Sequence, residues 1–168
     1  VSHEYLIEQV QEQSWTAAPG ANSQSLNFNH PVKELIWGRS IHTTQLYTAT
    51  QVDGPAYMYG LKLNGHDRFA SRNTEYFTRT QVWQHHSGTG GLGANTTYGA
   101  GWGRMHIHVY SFALKPEEHQ PSGTCNFSRI DNAQLHSSGE VGGGTLIFAV
   151  NYNVLRIMSG MGGLAYSN

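Results

Sequence analysis

Charge is scarce in this sequence: Asp, Glu, Lys and Arg supply 12% of the 168 residues, about half the usual share. Lysine occurs only at Lys33, Lys62 and Lys115. Ten Lys and Arg stand against eleven Asp and Glu, so the formal net charge is -1 and the pI is near 6.9. No basic face is demanded, and direct binding to nucleic acid by counterion release is not expected. The one cysteine, Cys125, allows no intrachain disulfide. No basic residue or His adjoins it in sequence, so it reads as a small buried residue rather than a nucleophile. The apolar runs are too short for a transmembrane helix. There is no Gly-x-Ser-x-Gly elbow and no internal repeat. The glycine-rich stretch 87–103 has no Gly-Lys-Ser/Thr and leads into no helix, so it is not a phosphate loop. The start, Val-Ser-His-Glu, has neither Met nor a signal-peptide pattern and reads as a cut from a longer protein.

What remains is uncharged and structured. Glycine counts 20, aromatics are 11%, and Ser, Thr, Asn and Gln are abundant. Disordered chains combine high charge with few aromatics, the opposite of this composition. The length suits one domain, able to bury roughly two thirds of its unfolded surface. A net charge near zero gives little mutual repulsion, which suits a surface that assembles.

The clearest helix pattern is at 3–11, where Leu6, Ile7 and Val10 share a face, Ser2 can cap and Glu4 favours the first turn. Residues 16–29 read as a loop. Beyond them the pattern is β: residues 31–37, then 56–63 running into the hairpin signal Asn64-Gly65, then 75–84 with aromatics and Thr. Residues 87–103 form a long glycine loop. Residues 105–114 read as a strand apolar on both faces, and Pro116 and Pro121 bracket a turn. A short strand is expected over 124–130 and a loop over 139–144. In 145–158, Leu146, Phe148, Val150, Tyr152 and Val154 alternate with Ile147, Ala149, Asn151 and Asn153. The apolar parity switches at Leu155 and Ile157, which predicts a bulge or burial of the second face at an interface. The sum is all-β, a sandwich or barrel, with a double-sheet jelly roll as one solution.

Several residue groups invite a chemical reading. His106 and His108 lie two apart on one strand and could present two metal ligands. The position four after His108 is Phe112, and the next acids, Glu117 and Glu118, lie beyond Pro116, so the carboxylate of a cupin enzyme is missing. The simpler reading is two histidines on a partly solvated strand face. His85 and His86 are adjacent and would point oppositely if extended. Glu117 and Glu118 could be paired acids, yet Lys115-Pro116-Glu117-Glu118-His119-Gln120-Pro121-Ser122-Gly123 reads better as a compact structural or contact turn. Asp131, His136 and a serine could be arranged as a triad. Asn95-Thr96-Thr97 and Asn126-Phe127-Ser128 match the glycosylation sequon.

The run from Tyr110 through the Lys115–Gly123 turn to Asp131 resembles the major capsid proteins of nucleocytoplasmic large DNA viruses, the iridovirus- and phycodnavirus-like double jelly-roll family. His30–Trp37, Leu61–Gly65 with Asp67–Phe69, and Asn151–Tyr166 agree in order, and His3–Gln11 resembles the family's connection between its two jelly rolls. The resemblance implies an eight-stranded antiparallel jelly-roll sandwich. Residues 1–15 would be an inter-domain linker with a short helix. Residues 16–168 would be the C-terminal jelly roll, with the N-terminal one absent from this chain. It further implies homotrimeric, pseudo-hexagonal capsomers that meet neighbouring capsomers and minor capsid proteins in an icosahedral shell. That shell overlies an internal membrane without being embedded in it, and contacts no nucleic acid directly. The location would be the virion, assembled in the host cytoplasm. Residues 87–103 and 38–55 would be exposed or interface segments. The resemblance carries no catalytic residue and no cofactor. Two alternatives stand beside it: a cupin-like metal-dependent jelly-roll enzyme using His106 and His108, and a carbohydrate-binding jelly roll suggested by the aromatic and Asn content.

Overall fold

The structure is a computed structural model that describes residues 1–16, 22–39, 58–88, 107–139, 141 and 144–167. The strands are β1 (Ser2–Ser14), β2 (Ser23–Leu26), β3 (Pro31–Arg39), β4 (Met58–Leu63), β5 (His66–Asn73), β6 (Ile107–Ser111), β7 (Cys125–Asn126), β8 (Ala133–Ser137), β9 (Thr145–Met158) and β10 (Met161–Leu164). One sheet has the order β1-β9-β3-β6, with β10 added beside β9 and β7 beside β3. The other has the order β2-β8-β4-β5. Every pairing is antiparallel. Among the described residues, without the short β7 and β10, eight strands stand four to a sheet, and the chain crosses between sheets at each step from β1 to β4. This is the jelly-roll sandwich that the sequence led us to expect.

The helix expected over 3–11 does not form. Those residues lie in β1, which pairs with β9 without interruption from Ser2↔Met158 to Ser14↔Leu146. A nine-residue helix is marginal in isolation, whereas the strand completes a ladder along its whole length. Its burial alternates: Ile7, Gln9, Gln11 and Gln13 are partly buried, while Leu6, Glu8, Val10 and Glu12 are exposed. Residues 2–14 are thus a strand of the sandwich itself.

Residues 75–84, expected as part of the β pattern, are wound instead. A wide π-type turn at Tyr76–Thr80 leads into α1 (Gln81–His85). Asn73 Oδ1 accepts from the Glu75 N–H at 3.0 Å and starts the turn, an arrangement sequence periodicity does not reveal. Thr78 Oγ1 donates to Thr74 O, and Phe77 enters the core. The strand expected over 124–130 is only β7, followed by a 3-10 turn at Phe127–Arg129.

The core lies between the sheets. Trp37, Tyr59, Phe77, Leu35, Leu61, Leu135 and Ile147 are fully buried. Trp37 meets Tyr59 edge-on at 5.5 Å between ring centroids and stacks on His108 at 5.4 Å and 10°. The hairpin between β4 and β5 turns at Asn64 (φ 51°) and Gly65 (φ 79°), the positive pair of a type I′ turn. Asn64 Oδ1 accepts from the N–H groups of Asp131 and Asn132 and ties the hairpin to the start of β8.

Candidate functional site

The outer face of the first sheet is inverted in composition, carrying apolar groups on the side away from the core. Register places Val10 opposite Val150, Phe148 opposite Ile36, and Ile36 opposite Val109, all on the side away from Val32, Leu35 and Trp37. Ile107 extends the row, 56% exposed, and Val10 opens it, 63% exposed. An apolar stripe therefore crosses all four strands on the side facing away from the core.

The inward face of β1 and β9 is polar at the same level. Gln11 Oε1 accepts from Asn29 N and from Asn151 Nδ2, each at 2.9 Å. Gln13 Oε1 accepts from Asn27 N at 2.9 Å, and Gln9 Oε1 accepts from Asn153 Nδ2 at 3.1 Å. Asn153 Nδ2 also donates to Tyr166 O. These bonds engage the side-chain N–H groups of the buried Asn151 and Asn153, while Asn151 Oδ1 has no hydrogen-bond partner among the described residues. The apolar alternation Leu146, Phe148, Val150 thus faces outward, partly buried, and Ile147 and Ala149 face the core. Of the two explanations for the parity switch at Leu155, the bulge is absent, since β9 holds register with β1 past Ile157. The sequence signal for the amide ladder was the period-two run Gln9, Gln11, Gln13 and the pair Asn151, Asn153.

The turn Lys115–Gly123 is clamped to this outer face. A register shift between Val32 and Glu34 turns both Lys33 and Glu34 outward. Lys33 is 3% exposed, ion-pairs with Glu8 and lies over the Tyr152 ring, 5.4 Å from its centroid. Tyr152 Oη donates to His119 O at 3.2 Å, and His119 Nδ1 lies 3.8 Å from Glu8. On the other flank, Glu117 Oε1 accepts from Ser87 N (2.7 Å) and Ser87 Oγ (3.1 Å). His86 stands between two acids: Nε2 is 2.7 Å from Glu34 Oε2 and Nδ1 is 3.2 Å from Glu117 Oε1. The Glu34 bond, opposed by partial burial, holds the His86 pKa above the usual imidazole value. The Ser87 N–H holds the Glu117 carboxyl below the usual carboxylate range. The turn closes on itself through Lys115 N to Ser122 Oγ (2.9 Å) and Leu114 N to Ser122 O (3.3 Å), with Pro116 buried.

The other sequence candidates fall elsewhere. Glu117 and Glu118 do not work as a pair: Glu118 faces Lys115 at 3.6 Å, while Glu117 faces Ser87 and His86. His106 lies outside the described residues. His108 is not on a solvated face; it is 1% exposed in the core, with Nδ1 3.2 Å from Trp37 O. Among the described residues no group of three or more His, Cys, Asp and Glu could hold a metal ion. His136 Nε2 is 3.0 Å from Ser71 Oγ, but Asp131 precedes β8 while His136 is near its end. Asn95 lies outside the described residues. Asn126 is partly buried and its Oδ1 accepts from Ser128 N, so the amide is engaged in the 3-10 turn. Burial raises the Cys125 thiol pKa, against nucleophilic use. Sequence reasoning missed Glu8, Lys33, Glu34, Ser87 and Tyr152, whose partners are remote in the chain.

Comparison with known proteins agrees with this geometry. Residues 1–141 match the family model described as large eukaryotic DNA virus major capsid protein. Over the whole chain the sequence is 49% identical to the major capsid protein of Pyramimonas orientalis virus, and spans 44% of that protein. It is 39% identical over 99% of the chain to the major capsid protein of Paramecium bursaria Chlorella virus 1, of which it spans 49%. A quasi-atomic model of the PBCV-1 virus capsid superposes on the whole chain with a TM-score of 0.73 and 34% identity, the match taking up 52% of that longer chain. The chain therefore spans about half the length of these relatives, and it belongs to the family of major capsid proteins of large eukaryotic DNA viruses.

Proposed function

We propose that this chain is the C-terminal jelly roll of a double jelly-roll capsid subunit, and that the outer face of its first sheet packs against another jelly roll of the shell. The observation that carries the reading is the apolar stripe from Val10 to Ile107, set over a polar inward row. A sheet face of this composition is otherwise reserved for burial. Three such subunits would close a pseudo-hexagonal trimer whose neighbours are further trimers and minor capsid proteins. Family membership supports an icosahedral shell over an internal membrane, assembled in the host cytoplasm and carried in the virion. The role is structural rather than catalytic: His108 is a core residue, and Glu117 of the 115–123 turn serves as a tether.

The test is a Val10→Glu, Ile107→Lys double variant of the full-length protein, followed by analytical ultracentrifugation. Each apolar side chain withdrawn from an interface forfeits about 1.5–3 kcal/mol, and the introduced charge adds a desolvation cost. The variant is expected to sediment as folded monomer, while Gln134→Lys on the outer face of the other sheet keeps the trimer. Unchanged trimerisation of the double variant would overturn the assignment of this face.

A further inference from the structure

We propose that His86 is a proton-operated latch that fastens the Lys115–Gly123 turn to the body of the domain, closed when its imidazole carries both protons and released when it loses one. A neutral imidazole has one N–H and one lone pair. Here both ring nitrogens face carboxylate oxygens, Glu34 Oε2 at 2.7 Å and Glu117 Oε1 at 3.2 Å. Either neutral tautomer would set a nitrogen lone pair against an acid that accepts but does not donate. Only the imidazolium satisfies both.

The placement turns this into a link between elements. Glu34 is nearly buried on β3, His86 ends α1, and Glu117 belongs to the turn. Among the described residues, the charged and titratable groups around the latch are few. From β3 comes Glu34, since Lys33 is engaged by Glu8. From the turn comes Glu117, since Lys115 and Glu118 face each other. On the helix side, His85 is engaged with Leu114 O at 3.2 Å. β6, packed against α1, contributes no charged group here; its His108 lies in the core.

The raised His86 pKa and the lowered Glu117 pKa set a window. The stabilisation from His86 is complete below its unfolded pKa of about 6.5 and is lost as pH rises through the higher folded value. The stabilisation from Glu117 is present above the usual carboxylate value and is lost as pH falls through its lower folded value. The latch is closed between the two. On the alkaline side the turn keeps the Ser87 bonds to Glu117 and the far tether from Tyr152 to His119 O, and loses its charge-assisted link through His86 to Glu34.

Hydrogen–deuterium exchange by mass spectrometry on the full-length protein tests this, following a peptide over residues 112–123 from about pH 6 to about pH 9, corrected for intrinsic exchange. Protection of that peptide is expected to fall about tenfold across the range, the loss of one charge-assisted tether. His86→Gln and Glu117→Gln are expected to show the weaker protection already at the acidic end, with no slope. His119→Gln is expected to keep the slope. Glu117 is exposed, so Glu117→Gln serves as the folded variant even if His86→Gln fails to fold. A flat wild-type profile, or a Glu117→Gln variant that keeps the wild-type slope, would overturn the proposal.

Discussion

Gly123 is where the 115–123 turn is most sensitive to a single methyl group. Its φ is +142°, a conformation that L side chains rarely adopt. A Cβ added there would sit 2.6 Å from Phe112 O and 3.3 Å from Ala113 Cα. Neither atom can withdraw easily, because the Phe112 and Ala113 N–H groups both donate to Lys33 O, at 2.9 and 3.2 Å. Backbone strain alone costs about 1–3 kcal/mol, and the clash adds to it, so Gly123→Ala is expected to destabilise by about 3 kcal/mol or more. For a unit of this size each kcal/mol lowers Tm by roughly 2–4 °C, which makes the drop about 6–12 °C. Two controls isolate the causes. Gly65 has φ +79° but open space around its Cβ position, so Gly65→Ala pays only the left-handed strain, about 1–2 kcal/mol. Gly163 has neither positive φ nor a neighbour, and Gly163→Ala is expected within about 0.5 kcal/mol of wild type. The assay is scanning calorimetry on the full-length protein, at one concentration and in one oligomeric state, because assembly itself shifts Tm. A Gly123→Ala variant melting together with Gly65→Ala would refute the steric part of the reasoning. One melting together with Gly163→Ala would refute all of it.

Gln11→Ala removes the acceptor shared by Asn29 N and the fully buried Asn151, and a urea melt is expected to show a loss of about 2–3 kcal/mol. His108→Ala opens a cavity beneath Trp37 and is expected to cost about 3 kcal/mol in the same melt. Elemental analysis of the wild-type protein is expected to give no stoichiometric zinc, iron or manganese; one metal per chain would contradict the structural role of His108.

The parts of the fold that were legible in the sequence are those decided by neighbours. Asn64-Gly65 specifies its own turn, and β3, β6 and β9 announce themselves by runs of strand-forming apolar residues. β1 was misread because its deciding partner is remote. Leu6, Ile7 and Val10 fit a helix face as well as a strand, and only Asn151, 140 residues from Gln11, makes the Gln9, Gln11, Gln13 row the informative one. The segment after Asn73 was misread for the converse reason: aromatic residues suggest strands, yet a local Asn73 bond to Glu75 N begins a helical turn. At the 115–123 turn, sequence showed a compact polar element but not its purpose. That depends on Glu8, Glu34, His86 and Tyr152, brought from four other stretches of chain.

The orientation of β9 carries the most physical content. Both of its faces hold apolar groups, so hydrophobicity alone does not say which one meets the core. Left to a solitary sandwich, burial would favour turning Phe148 and Val150 inward and leaving Asn151 and Asn153 in water, since buried amides gain little net energy from their hydrogen bonds. The chain does the opposite. It assembles a hydrogen-bonded amide ladder inside, with Gln9 and Gln11 accepting from the Asn153 and Asn151 side chains, and places Phe148, Val150, Val10 and Ile36 outside. That choice agrees with the proposed burial of the outer face, where apolar side chains return about 25 cal/mol per Å² removed from water. The amide ladder then fixes the register of β1 on β9, because a slip by one residue would carry Gln9, Gln11 and Gln13 to the apolar side and strand Asn151 without its acceptor. The inverted strand thus specifies the fold from within and leaves apolar groups on the outer face, where the proposed interface lies.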